Sequence, residues 1–176
     1  MLTNKLLTAL FLTAPWASAL SVPAIEASPH ELLETIQVPN GTLTIYGIRN
    51  SPAKPLHADL ASAPSCGSNT VTCDYGSHLA NVASCDALLN SLRNDPGHGV
   101  SESPRDICFG GGGDRCCVSW SKAVGGLNYG MLLPAAEKMR NTCVNANSNR
   151  VSAKSDDTQL RGSCVKECLS DRPSGC

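Results

Sequence analysis

Large ring side chains are scarce in this sequence. Aromatic residues make up 4% of its 176 positions. From the first cysteine onward they are Tyr75, Phe109, Trp120 and Tyr129. A core with so few large side chains buries little apolar area, so burial alone leaves a thin margin of stability. An excess of one charge is also missing. The chain has 14 Lys and Arg against 15 Asp and Glu, without a basic stripe or a polybasic cluster. That balance argues against nucleic acid or an anionic membrane surface as a partner. No apolar run approaches the roughly 18 residues that a membrane span needs. No cysteine precedes Cys66. No Walker spacing occurs, and no paired CxxC set that would read as a zinc site.

The first residues point to export. Lys5 gives a positive n-region, Leu6 to Leu12 a short apolar run, and Ala17-Ser18-Ala19 a small-residue cleavage site before Leu20. Residues 1–19 therefore read as a signal peptide and the protein as secreted and extracellular, with no membrane span. Residues 20–65 read as an N-terminal arm or propeptide, interrupted by six prolines from Pro23 to Pro64. Within it His30 to Ile36 suggests a short helical turn, and Thr42 to Ile48 alternates like a strand, which adds to the main sheet only if the segment is an ordered arm and not a propeptide. Asn40-Gly41-Thr42 is an N-glycosylation sequon in a turn context, so Asn40 is the candidate glycan site.

Residues 66–176 form the cysteine-rich domain. It holds Cys66, Cys73, Cys85, Cys108, Cys116, Cys117, Cys143, Cys164, Cys168 and Cys176. An even count in an exported chain implies a disulfide framework, whose connectivity the sequence leaves open. Each bridge contributes roughly 2–4 kcal/mol, which offsets the poor core.

The domain is organised around Arg105 to Ser121. Ile107 to Phe109 and Cys116 to Trp120 read as two strands joined by the Gly110–Gly113 turn. Alternation puts Cys116, Val118 and Trp120 on one face and Cys117 and Ser119 on the other, so the adjacent cysteines should bond different neighbours. Trp120 reads as core. The apolar positions from Leu79 to Leu92 repeat at helical spacing, with Ser77 as candidate N-cap and Asn94-Asp95-Pro96-Gly97 as the stop. A second helix runs from Met131 to Cys143, with Pro134 expected in its first turn. Asn145 to Asp157 reads as an exposed loop, and Gly162 to Ser170 as a final strand or extended arm. The fold class is α+β: a small, mostly antiparallel sheet with two helices packed on one face, disulfide-stapled.

Catalytic chemistry is not indicated, and neither cofactor nor metal is expected. His78 near Asp74 and Ser77 suggests a base with an orienting acid, yet the three lie in one local turn with no oxyanion site. His98 lies between glycines and reads as solvated. Glu102 with Asp106, and Asp156 with Asp157, are the carboxylate pairs considered for glycoside chemistry. Tyr129 is the aromatic considered for sugar stacking. The exposed candidate surfaces are Asn94–Pro104, Gly110–Asp114 and Asn145–Asp157.

The runs SPRDIC, CCVSWS, LPAAEKM followed by TC, and GSC followed by CLSDRPSGC resemble the fungal small secreted cysteine-rich WD-like domain proteins. The resemblance covers Cys66 to Cys176 and implies a fungal source and a candidate effector. The helix–hairpin–helix–strand order is also similar to the killer-toxin-like α/β sandwich. Known toxins of that kind use a basic residue against ion channels, and no position here matches that motif. The expectation is a secreted, monomeric binding or toxin-like protein whose partner is an unknown extracellular protein or a cell-wall glycan. The alternative is a cell-wall or carbohydrate-binding structural protein.

Overall fold

A computed structural model describes residues 30–47, 66–101, 104–111, 114–173 and 176. The expected signal peptide, the connection 48–65 and Glu102 lie outside the described residues. The strands are β1 (Glu31–Val38), β2 (Gly41–Gly47), β3 (Val71–Cys73), β4 (Ala80–Asn81), β5 (Gly99–Val100) and β6 (Pro104–Phe109). They continue with β7 (Cys116–Trp120), β8 (Leu127–Asn128), β9 (Val144–Asn145), β10 (Arg150–Val151), β11 (Ala153–Leu160) and β12 (Ser163–Ser170). The helices are α1 (Val82–Asn94) and α2 (Tyr129–Cys143).

Seven strands form the main sheet in the order β1-β2-β6-β7-β12-β11-β3, paired antiparallel throughout. Opposed residues in such pairs share a face. One face carries the row Ile45–Ile107–Val118–Leu169–Ala153–Cys73, and beside it Trp120–Glu167–Ser155–Val71. Both helices bury their stripes on this face. α1 contributes Val82, Cys85, Leu88, Leu89 and Leu92. α2 contributes Leu132, Ala135, Ala136 and Met139. The opposite, back face carries Tyr46–Asp106–Ser119–Cys168–Lys154–Thr72.

The expected α+β architecture is therefore the observed one. Trp120 is core, at 2% exposure. Several local expectations change. Of the stretch His30 to Ile36, all but His30 belongs to a strand, because β1 finds a partner in β2 across a two-residue turn, whereas a single helical turn has none. The N-cap of α1 is Asn81, whose side chain accepts from Ala83 N at 2.8 Å. Ser77 instead donates its hydroxyl to Asp74 at 2.5 Å. Pro134 lies in the second turn of α2, because Asn128 caps the helix earlier than expected. The segment from Asn145 to Asp157 is largely sheet. Ser155 and Thr158 are buried on the helix side, where the Thr158 hydroxyl donates to Ser155 at 2.9 Å. The loop before Pro104 also contributes β5, which pairs with β8 and buries Val100.

Candidate functional site

All ten cysteines pair. The bridges are Cys66–Cys164, Cys73–Cys143, Cys85–Cys116, Cys108–Cys117 and Cys168–Cys176. Their layering follows from the strand pleat. Cys116 faces the helices and meets Cys85 on α1, whereas Cys117 faces the back and meets Cys108 directly opposite on β6. Cys143, ending α2, fastens that helix to β3 through Cys73. Helix α1 is also joined to α2 by a two-pronged ion pair. Arg140 donates Nε to Asp86 Oδ1 at 2.7 Å and a terminal nitrogen to Oδ2 at 2.8 Å, which raises the Arg140 pKa.

Two of these links hold the strands that flank one candidate loop. The turn after Gly110 springs from strands clamped on both faces by Cys108–Cys117 and Cys85–Cys116. Gly110 itself has φ +81, and a Cβ there would lie 2.9 Å from the Asp114 carbonyl, so the turn needs glycine. The Ser84 hydroxyl donates to that carbonyl, which ties Asp114 to the start of α1. In the Asn145–Asn149 turn, the Asn145 side chain accepts from Asn147 N at 3.0 Å and Ser148 N at 3.2 Å. In the Asn94–Gly99 stretch, His98 keeps a side-chain exposure of 36%. Its ring stacks on Tyr129 with centroids 4.6 Å apart. Tyr129 is itself 2% exposed, and burial pushes its pKa up to about 12. It presents no sugar platform. Among the described residues, Tyr75 at 55% is the exposed aromatic.

The remaining candidates sit apart. Asp74 is held below its ordinary pKa by the Ser77 hydroxyl and the Gly76 N–H, and His78 lies 3.6 Å from Asp171 on the C-terminal tail. Asp157 is likewise lowered, by the Ser68 hydroxyl and the Thr70 N–H. Its neighbour Asp156 lies 3.6 Å from both Lys154 and Lys166. The two carboxylates thus serve different partners. Asn40 occupies the exposed β1–β2 turn. Among the described residues, no three His, Cys, Asp or Glu side chains form a metal-holding group.

Two carboxyls are buried: Glu167, which the sequence reading missed, and Asp106, which it paired with Glu102 without its burial or its partner. Asp106 lies on the back face with no exposure, against His30, which also contacts the Pro173 carbonyl at 3.2 Å. Burial, partly opposed by His30, pushes the Asp106 pKa up to about 7. Its Oδ1 is buried without a hydrogen-bond partner. Glu167 lies on the helix face between Trp120 and Ser155. It has no exposure and neither oxygen has a hydrogen-bond partner, so burial drives its pKa well upward. The strand period alone signals Glu167, since it shares a face with Val165 and Leu169. His30 and Asp106 carry no such signal, being 76 positions apart.

The C-terminal tail lies over the back face. Arg115 Nε donates to the Asp171 carbonyl at 2.8 Å, and Cys176 is tied to Cys168. A cavity of about 240 Å³ opens beside the tail, lined in part by Thr72, Lys154, Lys166, Ser170 and Arg172.

Fold and bridges define a disulfide-stapled, two-layer α+β domain. The fungal WD-like family model matches residues 49–176, and the chain belongs to that family. No curated protein matches the chain, and no solved structure does. The killer-toxin likeness therefore gains no support from known structures.

Proposed function

We propose that this is a secreted binding or toxin-like protein that acts outside the cell, on a competitor or a host, by contact rather than turnover. The observation that carries the reading is the clamping of β6 and β7, the strands that flank Gly110–Asp114, by Cys108–Cys117 and Cys85–Cys116. A loop held at its base loses little freedom on binding, so more of its contact energy appears as affinity. Membership of the fungal WD-like family and the full pairing of cysteines support an oxidising, extracellular setting. No helix among the described residues is long and apolar enough to cross a membrane. The cell-wall alternative loses its main candidate, because Tyr129 is buried.

The test incubates the purified mature protein with fungal or plant cells and with insoluble glucan and chitin. Cell damage or cell-surface binding without retention on the polymers is expected. Retention on polymer with no effect on cells would overturn the reading in favour of a wall protein.

A further inference from the structure

The β1–β2 hairpin belongs to the sheet but not to the bridge network. Every bridge joins residues from Cys66 onward. The contacts that hold the hairpin are non-covalent. β2 pairs with the outer edge of β6 from Leu43 opposite Phe109 to Gly47 opposite Pro104. Leu43 and Ile45 are buried on the helix side beside Phe109 and Ile107. Gly41 lies against the Phe109 ring, where a Cβ would stand 2.6 Å from Cζ. On the back face, His30 covers Asp106.

The family match starts at residue 49, just past the end of β2 at Gly47. The matched part of the sheet is then β6-β7-β12-β11-β3, with β6 outermost. A bare strand edge is a template for further pairing. Here that edge also carries a buried carboxyl whose side-chain partner comes from the hairpin. A dry, unpaired carboxyl is costly, so any occupant must bring a counterpart for Asp106 or admit water.

We propose that the outer edge of β6 is a docking site for an extended segment of another protein, and that the β1–β2 hairpin is its resident occupant, able to leave as a unit. What the hairpin supplies defines the partner chemistry. The segment runs antiparallel to β6 and places apolar side chains two residues apart over Phe109 and Ile107. It sets a glycine against the Phe109 ring and brings an imidazole or similar proton-bearing group to Asp106. The proposal rests on the binding reading for the existence of a target, but the departure of the hairpin does not.

The test uses the full chain. Hydrogen exchange in the hairpin and β6 should run at least about tenfold faster than in β7 and β12. Gly41→Val, strained at φ +153 and pressed on Phe109, should speed hairpin exchange further without changing β7 or β12. A labelled peptide of residues 30–47 should then bind the Gly41→Val protein saturably, and a scrambled peptide should not. Hairpin amides that exchange in step with β7 and β12 in both proteins would overturn the proposal, as would absent peptide binding. A dimer formed by the chain alone, with peptide excluded, would assign the edge to a second copy and overturn the foreign partner. Peptide binding in a protein inert toward cells and polymers would leave the docking edge standing and sink the binding function instead.

Discussion

Glu167 and Asp106 make the protein respond to pH in an uncommon direction. Most carboxylates in folded proteins are stabilised in their ionised form, and folding then weakens in acid. Here both buried acids have folded pKa values above their ordinary ones of 4.5 and 3.8. A raised acid gives its full stabilising contribution below the unfolded pKa and loses it as pH rises through the folded one. For Asp106 that window runs from 3.8 to about 7, and for Glu167 it opens at 4.5 and extends well upward. Asp74 and Asp157 act in the opposite sense, contributing above 3.8 and losing that contribution in acid, but both are exposed and act weakly. The unfolding free energy from denaturant titration should therefore fall between pH 5 and pH 8, by up to about 1.4 kcal/mol per pH unit for each proton involved. Glu167→Gln should flatten that slope, and an unchanged slope would refute the assignment. Tyr129→Phe removes a buried hydroxyl that has no hydrogen-bond partner, so its thermal midpoint should hold or rise slightly.

At the scale of elements, α1 depends on its cap. Asn81 accepts from Ala83 N and Ser84 N, so Asn81→Ala should cost about 1 kcal/mol in urea unfolding. An effect within error would mean that bridging to Cys116 alone holds the helix start. The two helices, β2 and β7 were legible in the sequence because their apolar residues repeat at the period of the element, whereas β12, with Glu167 between Val165 and Leu169, read equally as a strand or an extended arm. The face assignments of Cys116, Cys117 and Cys85 followed from the same periods. β11 was not legible. Its buried positions include Ser155 and Thr158, which bond each other, and composition cannot distinguish such a pair from a solvated loop. β1 was hidden for a different reason: its identity comes from β2 and its bulge near Leu33 breaks the alternation. The Asp106–His30 contact and the bridge partners depend on long-range pairing that no local pattern encodes.

For the whole molecule, the bridges differ in reach. Cys73–Cys143 closes a separation of 70 residues and Cys168–Cys176 one of 8. Loop entropy makes the longer closure worth about 2 kcal/mol more. Cys73→Ser with Cys143→Ser should therefore lower unfolding stability more than Cys168→Ser with Cys176→Ser, measured by chemical denaturation. The reverse order would show that tail docking outweighs chain entropy. Cys108 and Cys117 sit directly opposite each other in the β6–β7 ladder. A slip of one position would turn Cys108 toward the helices while Cys117 stayed behind. The two sulfurs would then be unable to meet, and the misthreaded molecule would carry a pair of alkylatable groups. Sulfhydryl titration of freshly folded material therefore doubles as a proofreading assay, separating correctly threaded molecules from the rest.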